Sequence, residues 1–115
     1  MLINIQTQGL ELTEALQDYT EKRLAYALSH GQQQIQRVQV RLIDVNGPRG
    51  GVDKRCQVDV RLKGLPAIVV EDTESDLYLA IDRAAERVGR TLARRLDKNR
   101  RFAAPSTNTE SSITL

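Results

Sequence analysis

Six basic side chains late in the chain stand at spacings that could hold a polyanion. Arg83, Arg87, Arg90, Arg94, Lys98 and Arg101 follow one another at intervals of four, three, four, four and three. At about 100° per residue in a helix, these intervals keep all six within one narrow stripe. Arg95 and Arg100 widen the charge near its end. Thirteen of the seventeen basic residues are Arg, and Arg offers a planar fork of donors suited to phosphate oxygens and to stacking on bases. Two readings fit the stripe: a polyanion-binding surface, or a solvated outer face in which Glu86 and Asp97 pair with their neighbours.

Other residue types that could do chemistry are sparse. His30 is the single histidine and falls at an expected helix end, where a cap or surface role is more economical than general base. Cys56 is the single cysteine, so it has no partner for an intramolecular disulfide and no second thiolate for a metal site. A buried apolar place suits it. Asp72, Glu74 and Asp76 could mimic a metal cluster but read more simply as the acidic start of a helix. The stretch from Gly47 to Gly51 lacks the lysine and the following helix of a phosphate-binding P-loop. No cofactor and no enzymatic activity are expected.

The charge is distributed unevenly. Residues 1–82 carry a balance of −3, residues 83–101 a balance of +6, and the remainder adds Glu110, for +2 in all. Such a block attracts polyanions whatever the total charge. The N-terminus has no basic region followed by a long apolar run, so it does not read as a signal peptide. No apolar stretch approaches the ~18 residues needed to cross a membrane. The expectation is a cytoplasmic protein with no membrane partner and no small-molecule substrate.

These side chains need a scaffold. A chain of 115 residues suggests one domain, expected over 1–102, with 103–115 as a disordered polar tail. Aromatic content is low, so the core must be aliphatic. Leu2 to Thr7 alternates and predicts a strand ended by Gly9. Thr13 is a good N-cap for a helix from about Glu14 to Ser29, with Leu12, Leu16, Tyr19, Thr20, Leu24, Ala27 and Leu28 on one face and His30-Gly31 as its stop. Ile35 to Val45 and Arg55 to Lys63 alternate as half-buried strands, joined by a turn-rich connection. Gly64 turns the chain into a fourth strand from Pro66 to Val70. The last helix is expected to open within Asp72 to Asp76, with Thr73 or Ser75 as cap, and to run to about Arg100. Leu77, Ile81, Ala84, Ala85, Val88, Leu92 and Leu96 form its buried stripe, and Gly89 suggests close approach to the sheet.

The order is β-α-β-β-β-α, an α+β fold with a four-stranded sheet, both helices on one face and the other face open. Strands two to four can form a meander, so the first must pair elsewhere. Arg37, Arg41, Arg55 and Arg61 fall on the open face, either as a second basic surface or as cross-strand partners of acids. Without exposed aromatics that face is a poor platform for stacking single-stranded bases, which favours phosphate or shape contacts.

Asp76-Leu77-Tyr78-Leu79-Ala80-Ile81-Asp82 leads into the basic helix. It resembles the Asp-x-Tyr-x-Ala-Ile-Asp motif of the ribosome hibernation-promoting factors and ribosome-associated inhibitors, once named sigma-factor modulation proteins. Leu12-Thr13-Glu14-Ala15-Leu16 after the first strand and Tyr19-x-x-Lys22-Arg23-Leu24 are also similar. The resemblance covers residues 1 to about 101. It implies a fold related to double-stranded-RNA-binding domains. It further implies binding to the small ribosomal subunit where messenger and transfer RNA would lie, blocking translation in idle ribosomes. Arg83, Arg87, Arg90, Arg94, Lys98 and Arg101 would contact ribosomal RNA, with Lys22 and Arg23 as helpers. The chain departs from the family in its Arg-rich rather than Lys-rich last helix and in the connection Asn46–Lys54. Only a short tail stands where long members add a dimerisation domain, so ribosome pairing is not expected. Two other functions fit the same residues: a regulator that binds an acidic protein, and a general binder of structured RNA.

Overall fold

The computed structural model describes residues 2–45 and 53–103. Strand β1 (Ile3–Gln8) is followed by helix α1 (Glu14–Ala27) and a 3-10 turn (Ser29–Gln34). Strands β2 (Ile35–Asp44), β3 (Lys54–Leu62) and β4 (Leu65–Glu74) then lead to helix α2 (Leu77–Ala103). The sheet order is β1-β2-β3-β4. β1 lies parallel to β2, with Ile3 opposite Val38 and Ile5 opposite Val40. Parallel neighbours need a long crossover, and α1 with its 3-10 turn supplies it. β2, β3 and β4 form the expected antiparallel meander. The two-residue turn Lys63-Gly64 joins β3 to β4, and Gly64 has φ +70°, a conformation glycine adopts without a Cβ clash.

Alternation along the strands sends one set of side chains inward. Val38, Val40, Leu42, Cys56, Val58, Val60, Leu62, Ile68 and Val70 meet Leu16 and Leu24 from α1, Leu28 at its C-cap, and Ala80, Ile81, Ala84, Ala85, Val88 and Leu92 from α2, in one core. The Cys56 thiol is buried there, and burial first, then the nearby Asp72, pushes its pKa up to about 12. It is a packing group, not a reactive thiolate. Thr20, also buried, satisfies its hydroxyl by donating to the Leu16 carbonyl at 2.8 Å.

Several local expectations are corrected. α1 is capped by Thr13, whose Oγ1 accepts from the Leu16 amide at 3.1 Å, but α1 ends at Ala27 rather than Ser29. Gly31 is not a left-handed stop: its φ is −131°. It is small because a Cβ there would lie 2.7 Å from Leu92 Cδ2 and 2.8 Å from Leu96 Cδ1. Gly89 does mark a close approach, but to α1 and not to the sheet. Its Cβ would stand 2.8 Å from the Ala27 carbonyl oxygen.

The start of α2 differs too. β4 continues through Glu74, with Asp72 opposite Cys56 and Glu74 opposite Lys54. The acidic run is therefore a strand end, and Thr73 accepts from Arg55 Nε at 3.4 Å instead of capping. Asp76 takes the cap role: its Oδ1 accepts from the Tyr78 amide at 3.1 Å and its carbonyl from the Ala80 amide at 3.0 Å. At the far end of β3 the carboxylate of Asp53 is buried and held by Lys54 Nζ at 2.8 Å, which also reaches Asp44 at 3.5 Å. Of the connection expected at Asn46–Lys54, residues 46–52 lie outside the described residues. Of the tail expected at 103–115, all but Ala103, the last residue of α2, does too.

Candidate nucleic-acid interface

α2 presents its apolar side to β3, β4 and α1, which leaves the basic stripe on the outside. The stripe then divides. Arg83 Nε lies 3.4 Å from Glu74 Oε2. Arg87 straddles β4, with Nη2 3.1 Å from Asp72 Oδ1 and Nη1 donating to the Glu71 carbonyl at 2.7 Å. Arg95 Nη1 donates to the Pro66 carbonyl at 2.6 Å. β4 is an edge strand, and an open edge invites pairing with another chain. Arg87 and Arg95 occupy part of that edge.

One turn further along α2, Arg90, Arg94 and Lys98 are exposed and have no acidic partner among the described residues. Spacings of four place them about 6 Å apart along the axis. Arg94 makes one weak contact, Nη2 to Thr91 Oγ1 at 3.4 Å. Arg101 belongs to the last turn of α2. On α1, Lys22 is exposed and pairs with Asp18 at 3.0 Å, a solvated i,i+4 pair of small energetic weight.

Arg23 is engaged differently. Its Nε lies 3.2 Å from Asp82 Oδ1, and Nη2 donates to the Asp82 carbonyl at 3.4 Å. The same Oδ1 accepts from the Tyr19 hydroxyl at 2.5 Å, and this hydrogen bond heads the causes that hold the Tyr19 pKa above its ordinary value. Tyr19 meets Tyr78 edge to face, with ring centroids 4.8 Å apart. The heptapeptide Asp76–Asp82 thus has a physical meaning. Asp76 caps α2, Tyr78 packs on α1, Ala80 and Ile81 enter the core, and Asp82 ties α1 to α2.

The open sheet face is mixed. Arg61 pairs with Asp59 at 3.2 Å and Arg55 with Glu71 at 3.9 Å. Arg37 and Arg41 are exposed without an acidic partner among the described residues. For two of the four arginines, neutralisation by nearby acids is therefore what the structure shows. His30 is exposed, and no cluster of metal-ligating side chains occurs among the described residues.

With this geometry, comparison with known proteins is decisive. The family profile described as "Sigma 54 modulation protein / S30EA ribosomal protein" matches residues 3–100. The chain belongs to this family. Within it, the chain is 29% identical over 99 residues to a ribosome hibernation promotion factor from Picosynechococcus, covering 86% of this chain and 51% of that protein. The chain spans about half the length of that curated relative. The crystal structure of the N-terminal domain of Thermus thermophilus Protein Y superposes with a TM-score of 0.67 at 33% identity, covering 82% of this chain and 98% of that one. A ribosomal subunit interface protein from Coxiella burnetii shares the fold, with a TM-score of 0.71 at 21% identity over 84% of this chain and 99% of that one.

Beneath α2, this family member carries a feature that its sequence pattern hid. Glu74 and Asp72 share one side of β4, and the carboxyl of Glu74 is held above its ordinary range, first by hydrogen bonding to Asp72, then by burial and the Asp72 charge. Arg83 opposes the shift without cancelling it. The folded chain thus keeps this proton to higher pH than the unfolded chain, whose value is near 4.5. Stability from this group is present below that value and is lost as pH rises through the folded one. Glu74→Gln removes the loss. In thermal melts from weakly acidic to neutral pH, the variant should gain on the wild type as pH rises. A pH-independent difference would reject the shared proton.

Proposed function

We propose that this chain is a ribosome-associated translation inhibitor of the hibernation type. It binds the small subunit through ribosomal RNA and occupies the channel used by messenger and transfer RNA. One observation carries the reading: Arg90, Arg94 and Lys98 form an outward cationic row, unneutralised among the described residues, on the fold of this family. The relatives' names, which speak of ribosome hibernation and of the subunit interface, support it. The mechanism is steric and non-enzymatic. The row anchors on phosphates, Arg101 and Lys22 extend it, and the domain body fills the channel. Arg23, Arg83 and Arg87 contribute field and spare donors while holding the fold. The protein acts in the cytoplasm, without cofactor or membrane partner. No helix among the described residues is long and apolar enough to cross a membrane.

Co-sedimentation with separated ribosomal subunits across a salt series tests this reading. Stoichiometric binding to the small subunit is expected, falling steeply with salt because each neutralised phosphate releases counterions. No binding at low salt would refute it. Nuclease-resistant capture of one acidic protein would point to a protein-binding regulator, and equal affinity for unrelated duplex RNA to a general RNA binder.

A further inference from the structure

The outer seam between α1 and α2 is a groove. Its floor is made of the small residues Ala27, Ala85, Gly89 and Ala93, in a space of about 400 Å³ bordered by Arg23, His30, Glu86 and Arg90. The floor exists because the helices approach so closely at Gly89. A second hollow, of about 580 Å³, lies along α1 beside Tyr19 and Lys22. Tyr26 lines both. It is 80% exposed, so its ring is a bare aromatic surface standing between two hollows. Arg23 is fixed by Asp82, while Arg90 has no acidic partner among the described residues.

We propose that this groove is a nucleobase subsite: an unpaired base of a single-stranded RNA segment stacks on Tyr26, with its flanking phosphates on Arg90 and Arg94. The inference rests on the RNA-binding reading above and adds the part of the RNA that the groove takes. A base is flat, apolar on its faces and polar at its edge. The tyrosine ring and the alanine-glycine floor suit the faces. Glu86 can accept from an amino group at the base edge, and His30 can donate to a ring or carbonyl acceptor. Arg90 borders the groove from α2, and Arg94 follows one turn later on the same helix, where a backbone leading the base in would pass.

The chain has no tryptophan, so Tyr26→Trp places one indole in the groove as a reporter. It is mixed with a short, dye-labelled single-stranded RNA and, separately, with the duplex formed with its complement. Dye anisotropy reports binding and indole emission reports stacking. Emission should be quenched in step with binding of the single strand and much less with the duplex. Tyr26→Ala should weaken single-strand binding about tenfold without changing the slope of affinity against salt, and Tyr26→Phe should retain it. A rise in anisotropy with no quenching, and with Tyr26→Ala unaffected, would overturn the subsite while leaving RNA binding intact. No anisotropy change with either RNA at low salt, together with no small-subunit binding, would overturn both.

Discussion

Reversing Arg90, Arg94 and Lys98 together to Glu is expected to weaken binding to the small ribosomal subunit about a thousandfold and to flatten its salt dependence by about two to three units of slope. Melting temperature should stay near that of the wild type. All three side chains are exposed and none has an acidic partner among the described residues, so the fold loses no ion pair when they change. The proposed complex would lose three phosphate contacts and gain three repulsions. The opposite signature is expected for Arg87→Glu. That change would set a carboxylate against Asp72 Oδ1 and the Glu71 carbonyl, both now held by the Arg87 guanidinium, and the cost would fall on stability. Sedimentation assays and thermal melts on the two variants separate anchoring from scaffolding. Unchanged subunit binding by the triple variant would remove the row from the interface.

That division of labour could not be read from spacing. A helical stripe of cations has one angular position in sequence, but its members differ in what lies beneath them. Arg83 and Arg87 stand over the far half of β4, where the chain carries Glu71, Asp72 and Glu74. The sequence offers those acids equally well as a helix start. They join the sheet because their alternation continues the register of β4 against β3, with Asp72 facing Cys56 and Glu74 facing Lys54. Once β4 is that long, its acids lie within reach of α2. A guanidinium finds them wherever the stem allows, and Arg90, Arg94 and Lys98 are left without such partners.

The core was more legible, because burial follows period. Two-residue alternation gave the inward faces of β2 and β3, and the 3.6-residue stripe gave the buried side of α2 down to Leu92. The parallel partner of β1 was not readable beyond its need for a neighbour outside the meander. Tyr26 was missed for a different reason. It sits off the apolar stripe of α1, and an aromatic in that position was the available signal. The tie through Asp82 was visible only as a motif. Its physics, one carboxylate accepting from Tyr19 and Arg23 at once, needs two helices placed side by side.

Gly89→Ala is expected to destabilise the fold by up to about 2 kcal/mol, although helix propensity alone would make it a gain of about 1 kcal/mol. The two effects oppose each other, and the contact decides between them. A Cβ at Gly89 would meet the Ala27 carbonyl oxygen at 2.8 Å and Ala27 Cβ at 3.4 Å. The oxygen is backbone at the end of α1, so it can yield only by moving the helix, and overpacking of that kind costs about 1–3 kcal/mol. Gly31→Ala makes the control. Its Cβ would lie as close, 2.7 Å, but to Leu92 Cδ2, with Leu96 Cδ1 at 2.8 Å. Those are methyl groups on side chains that can rotate, and Gly31 has an ordinary negative φ, so the loss there should be smaller. Thermal melts should show Gly89→Ala lower by roughly 4–8 °C for each kcal/mol lost, with Gly31→Ala between it and the wild type. A Gly89→Ala protein more stable than the wild type by about 1 kcal/mol, the whole propensity gain, would mean that the helices can separate at no cost. The floor of the groove beside Tyr26 would then not be fixed by packing, since Gly89 is the residue that brings the two helices together there.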